Sequence, residues 1–298
     1  MSDAPDELPE PRRSDPIRAG LRAVSRSLTA ARERHATVAL PFRVLERESR
    51  VAASVLAGGF AYKLFLWLLP FGLLLGGVFG VNETNDVEHA ISHGGLVGAA
   101  VNSIGDSTRA TGFDPWFLLF IGVTGLIWAG RSGAKAAQLI YALIWDEDPP
   151  RTKALPLSLA FTGTMCTMLA VLGLSWWIRD NTPLASFLPA AVSIAMIATL
   201  WVLVLRLLPH GDATPRELLP GALLVAIGVV VIHELIGTFL FPKLQESTEL
   251  YGMLGAMTTI LFYMYWVAAC VVSAATLNHS IHEEVLSRRA EAEAAAAS

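Results

Sequence analysis

Apolar residues fall into six long runs separated by shorter polar stretches: about 51–81, 115–130, 154–178, 183–208, 217–241 and 252–278. A helix needs about 20 apolar residues to cross the hydrocarbon core of a bilayer. Five of the runs meet that length; the run 115–130 is short, and the spacing lets its helix begin at Phe113 and continue past Arg131 outside the apolar region. The pattern predicts an all-α polytopic membrane protein with six transmembrane helices. The domain layout read from it is a tail over 1–50, a six-helix domain over 51–282 and a second tail over 283–298. Pro115, Pro183 and Pro220 lie near the starts of runs, where a missing N–H costs least. Pro70 lies inside the first run and predicts a kink.

Composition supports the membrane reading. The chain has 298 residues, 53% of them hydrophobic and only 16% charged, against about 25% charged in soluble proteins. Charge gathers in the first 50 residues and the last 16. Of 22 Lys and Arg, 18 fall on one side of the membrane if the N-terminus is cytosolic: ten arginines before residue 51, then Arg131, Lys135, Arg151, Lys153, Arg206, Arg216, Arg288 and Arg289. Basic residues concentrate on the cytosolic side, so both termini are expected inside. The first apolar run begins near residue 51 and reads as an uncleaved signal-anchor. Cys166 and Cys270 both lie in spans and read as packing residues.

Two tails and one loop carry weaker patterns. Ser14-Asp15-Pro16 marks a helix start. Ile17, Leu21, Val24 and Leu28 follow at helical spacing, interleaved with Arg18, Arg22, Arg26 and Arg32. This segment reads either as a basic amphipathic helix lying on anionic lipid or as a solvated tail. The loop at about 82–114 is mildly acidic, and its piece Ile91–Ile104 suits an interfacial or re-entrant helix.

Candidate chemistry is sparse. Lys63 is the one charge in the run 51–81. A charge at the bilayer centre costs roughly 3 kcal/mol on insertion scales, so Lys63 either snorkels to the headgroups or serves a polar cavity. Glu234, beside His233, is the other ionisable site within a span, and its place near the far end of span five makes a direct pair with Lys63 unexpected. Asp146-Glu147-Asp148 precedes Pro149-Pro150 and reads as a solvated loop in preference to a metal site. Gly72 and Gly76, four apart, form a small-residue face for helix packing. Tyr263, Tyr265 and Trp266 lie deep in span six and hint at a polar interior.

Several segments together resemble the YihY/BrkB family of bacterial inner-membrane proteins, whose members have often carried an old ribonuclease BN label. The matching residues are Ala61, Tyr62 and Pro70, then Trp128 and Arg131, Pro220-Gly221-Ala222, Tyr251-Gly252-Met253-Leu254-Gly255, Tyr265 and Leu277-Asn278. The likeness covers about 40–282. The family usually ends span six with Gly-Ala-Glu-Leu-Asn; here Thr276 stands in place of the glutamate, and Lys63 and Trp67 also depart from the usual pattern. The resemblance implies a role in envelope integrity and movement of a lipid or other amphipathic solute.

The expectation is therefore a non-enzymatic, multi-pass protein of the bacterial plasma (inner) membrane, without cofactor or metal, acting as a transporter or flippase-like protein. A structural scaffold is the alternative, and a membrane enzyme the third reading. Substrate or lipid contacts are expected at Lys63, Tyr62, Pro70, Glu234 and Asn278, and surface-lipid contacts at Arg18, Arg22 and Arg26. Membrane lipids are the expected partners, with a second copy of the chain as the other candidate; no nucleic acid is expected, since no aromatic platform accompanies the arginines.

Overall fold

The computed structural model describes residues 44, 47–48, 51–81, 114–148, 154–181, 188–235 and 253–297. The chain divides into two units, Met1–Leu45 and Glu46–Ser298, and every helix named below belongs to the second. The segment with Arg18, Arg22 and Arg26 and the loop at about 82–113 lie outside the described residues.

Six helices and no strand appear among the described residues: α1 Ala53–Val81, α2 Pro115–Trp145, α3 Ala154–Asn181, α4 Leu188–Leu205, α5 Pro215–Leu235 and α6 Met253–Ala297. Five are long and apolar enough to cross a membrane; α4 is the shorter apolar helix. Their outer faces are apolar, with Val55 and Phe120 70% exposed and Leu254 74% exposed. Such surface is costly in water and costs nothing against lipid tails. The protein is thus of the multi-pass membrane type. α6 passes the expected end of span six at 278 without a break; its 45 residues measure about 68 Å, more than twice a hydrocarbon core.

Each helix packs on the next in chain order, and α6 closes the ring against α1. Glycine lets the closest pairs approach. A side-chain carbon at Gly122 would lie 2.7 Å from the backbone nitrogen of Leu74, and one at Gly125 would lie 2.7 Å from Pro70 Cβ. Pro70 thus sits inside an unbroken α1 and seats its ring on α2 at a glycine. The contacts of Gly77 with Leu119, Leu74 with Gly122 and Pro70 with Gly125 fix an antiparallel register. Extended toward the start of α1, that register brings Lys63 level with Arg131 of α2. On its other face α2 offers Gly130 and Gly133 to Ser158 and Phe161 of α3.

Polar side chains bridge helices where apolar packing alone would leave them unpaired. Ser158 Oγ donates to the Ile127 carbonyl at 2.7 Å, and Trp67 Nε1 donates to Thr162 Oγ1 at 3.3 Å. The core holds Phe60, Tyr141, Ile144, Trp201, Val225 and Val272, drawn from α1, α2, α4, α5 and α6.

Candidate functional site

The C-terminus of α2 leaves carbonyls without helical donors. Asp146 ends the helix in the left-handed region at φ 53°, a conformation aspartate tolerates better than most residues. Arg47, just ahead of α1, meets the freed groups. It donates from Nη2 and Nε to the Ile144 carbonyl at 2.6 and 3.2 Å, and from Nη2 to Asp146 Oδ2 at 3.0 Å. Its Nη1 reaches Glu283 Oε1 on α6 at 3.2 Å. A cation at a helix C-terminus also answers the helix dipole. One residue on, Glu48 Oε1 accepts from Ser273 Oγ at 2.6 Å. This short segment therefore ties α2 to α6.

His279 lies 3.1 Å from Arg47 Nη2 through Nε2. A guanidinium only donates, so its approach to Nε2 suits a neutral imidazole over a charged one. Here α6 has left its apolar stretch, and burial, then the Arg47 charge, holds His279 below the ordinary histidine value. Glu283 and Asp146 oppose that shift without reversing it. The indole of Trp145 meets His279 edge-on at 5.0 Å between centroids and His282 at 5.6 Å.

A second ionic group adjoins the first. His282 Nδ1 and Glu217 Oε2 are 2.6 Å apart, and Arg289 Nη2 lies 3.7 Å from Glu217 Oε1. Glu217 is buried at the start of α5, where Thr214 Oγ1 donates to its Oε1 at 2.8 Å. Thr214-Pro215-Arg216-Glu217 is the spacing of a capping box with proline at the first helical position. The preceding turn carries Gly211 at φ 56°, and a side chain there would meet Glu147 Oε1 at 3.1 Å. The left-handed φ and the close approach both call for glycine.

Asn278 is fully buried between α5 and α6. Its Oδ1 accepts from the Gly221 N–H at 2.8 Å, and its amide fills the space where a Gly221 side chain would stand. Five buried polar atoms make no hydrogen bond among the described residues: Tyr141 Oη, Trp145 Nε1, Trp201 Nε1, Asn278 Nδ2 and His279 Nδ1, the last standing 3.6 Å from Glu283 Oε1. Tyr141 and Trp201 are neighbours that stop short of hydrogen-bond geometry. Five unmet atoms from α2, α4 and α6 make this interior more polar than an ordinary core.

Close by, an apolar groove of about 50 Å³ is lined by Phe60, Ala137, Phe161, Met165, Trp201 and Val204 among others. Trp201 belongs both to the groove wall and to the unmet set.

A family model described as Virulence factor BrkB matches residues 44–298. This chain belongs to the BrkB family. No curated protein and no solved structure matches it. At the BrkB position where the resemblance expects a glutamate, Thr276 is fully buried and donates to the Val272 and Ser273 carbonyls of its own helix.

The residues singled out from the sequence do not form one site. Lys63 is partly buried, its Nζ 6.0 Å from the centroid of the half-exposed Tyr62 ring, and no carboxylate among the described residues pairs with it. Pro70 is a packing residue in the α1–α2 seam. Glu234 sits one residue from the described end of α5, whereas Asn278 faces Gly221 near that helix's start. The Asp146–Asp148 run is exposed, as a solvated loop requires, yet Asp146 also holds Arg47.

Sequence reasoning missed Arg47, Glu48, Trp145, Glu217, His279 and His282. Two signals were available: the capping box ending at Glu217, and histidines spaced along one helical face with Glu283. Among the described residues no group of three or more His, Cys, Asp or Glu could hold a metal ion.

Proposed function

We propose that this chain is a six-span, non-catalytic protein of the bacterial inner membrane, both termini cytosolic, that moves a lipid or other amphipathic solute across or within the bilayer. The carrying observation is the apposition of two unlike environments: buried unmet donors from α2, α4 and α6, and an apolar groove that shares Trp201 with them. An amphipathic molecule has one part suited to each. BrkB membership supports an envelope role. The bias of 18 of 22 basic residues supports the orientation. The 18 residues of α4 measure about 27 Å, close to the thickness to be crossed.

Lys63 is the proposed headgroup contact, with Tyr62 beside it; Glu234 and Asn278 line the route, and Arg18, Arg22 and Arg26 hold the membrane surface. The test is phospholipid translocation in vesicles holding the full chain, read by dithionite bleaching of a headgroup-labelled lipid. Translocation should exceed that of protein-free vesicles, and Lys63→Ala should slow it several-fold while folding normally. Rates equal to protein-free vesicles overturn the transport reading.

One observation favours a second reading, a structural scaffold. The Arg47 segment clamps α2 and α6 together through several charged bonds, a device for rigidity. A scaffold predicts envelope defects on truncation of residues 1–45 and none on Lys63→Ala.

A further inference from the structure

The tie between α2 and α6 depends on one histidine. Arg47 meets the Ile144 carbonyl at 2.6 Å and Asp146 Oδ2 at 3.0 Å at the end of α2. On α6 it meets His279 Nε2 at 3.1 Å and Glu283 Oε1 at 3.2 Å. The contact with His279 needs a lone pair on Nε2, which only the neutral ring offers.

The charged and titratable groups facing His279 come from three elements. They are Arg47 ahead of α1, Asp146 at the end of α2, and His282 and Glu283 on α6 itself. Trp145 of α2 meets the ring edge-on at 5.0 Å. From α5, Glu217 reaches His282 at 2.6 Å and Arg289 at 3.7 Å.

Glu283 stands between two claimants. Its Oε1 is 3.2 Å from Arg47 Nη1 and 3.6 Å from His279 Nδ1. With His279 neutral, the carboxylate serves Arg47. An imidazolium carries a donor on both nitrogens. A proton taken up from solvent therefore leaves two positive donors facing each other across the 3.1 Å contact. The Nδ1–H becomes charge-assisted at the same moment and competes for Glu283. Arg47 loses both acceptors on α6 in one step. It keeps the Ile144 carbonyl and Asp146, whose side chain is 84% exposed, where an ion pair adds little.

We infer that His279 is a proton-sensing latch: neutral, it lets Arg47 tie the end of α2 to α6; protonated, it takes Glu283 and releases Arg47 from α6. Burial and the Arg47 charge hold the ring below the ordinary histidine value, so the latch is closed at neutral pH and opens in mild acid. The latch stands on this cluster alone and needs no solute to be moved, so failure of lipid translocation leaves it untouched.

The experiment uses the full chain in lipid nanodiscs with nitrogen-15 arginine, scanned from pH 7.5 to 5. Asp and Glu titrate near about 4 in the absence of perturbation, below that window. The Nε–H resonance of Arg47 is the one missing from Arg47→Lys. It should hold a shifted position at pH 7.5 and move to the free-arginine position with a midpoint below about pH 6.5. Trp145 fluorescence, taken as wild type minus Trp145→Phe, should be quenched with the same midpoint, because the imidazolium forms beside its indole. His279→Gln keeps an acceptor for Arg47 and cannot take the proton, so its Arg47 resonance should stay put to pH 5. Because Arg47 and the proton compete at His279, Arg47→Gln should move the Trp145 quenching to higher pH by about half a unit or more. An Arg47 resonance that stays put in the wild type to pH 5 overturns the latch. So does a transition that persists in His279→Gln, or a quenching midpoint that Arg47→Gln leaves unchanged.

Discussion

Arg47 and Lys63 are both basic residues at an apolar helix, and they behave in opposite ways. Lys63 is conspicuous in the sequence, a lone charge in a hydrocarbon run. In the fold it is partly buried beside Tyr62, with no carboxylate partner among the described residues. Arg47 is one of ten arginines in the first 50 residues and draws no notice there. In the fold its side chain is 17% exposed and reaches two carboxylates, a helix-terminal carbonyl and a histidine. Local contrast marks a charge as unusual; partners brought from distant parts of the chain make a charge structural.

The sharpest way to break this comparison is Arg47→Ala. It strips the part-buried Ile144 carbonyl of its charged donor and removes ion pairs to the exposed Asp146 and Glu283 that add little, and should cost about 2 kcal/mol in unfolding measured in mixed micelles. A loss no larger than that of Lys63→Ala would end the distinction. Next, Glu217→Ala removes the capping-box partner of Thr214 and the acceptor of His282, and should cost about 1–2 kcal/mol.

A smaller effect is expected from pH. His279 is neutral in the fold with its value held below the ordinary one, near about 6.5 in the unfolded chain. As pH falls through that ordinary value, the unfolded chain takes up the proton first. The stabilising contribution of neutral His279 is therefore complete above about pH 6.5 and is lost as pH falls toward and through the folded-state value. Thermal unfolding followed from pH 7.5 to 5 should fall more steeply for the wild type than for His279→Gln, whose side-chain oxygen still accepts from Arg47. Parallel slopes would show that this histidine does not titrate on unfolding. The smallest effect is Lys63→Gln on stability, within about 0.5 kcal/mol, since no ion pair among the described residues is lost.

The helices themselves were legible in the sequence because hydrocarbon runs have one solution in lipid: every backbone group must be paired within the segment. Starts were legible where capping chemistry is local. Asp114 accepts from Trp116 N at 3.0 Å just before Pro115. Ends were less so. The sequence let α2 continue past Arg131 without placing its end, which falls at Trp145, and α6 runs to Ala297, well past the expected span end at 278, because packing and helix propensity sustain a helix after hydrophobicity falls away. Of the site, Asn278 was chosen for its place within a span. Its bond to Gly221, 57 residues away, has no local signature.

What the chain's own pattern determined is the solvent it folds in, the all-helical class, the number of apolar runs and the family. Each depends on residue type and spacing within a single segment. Only the tertiary structure decided that Pro70 seats on Gly125, that Arg47 and not Lys63 gathers partners, and that His279, Trp145 and Glu217 meet at one polar end of the bundle. Those pairings join segments many tens of residues apart. They follow from helix register and from the close approach that glycine allows, quantities that no single stretch of sequence contains.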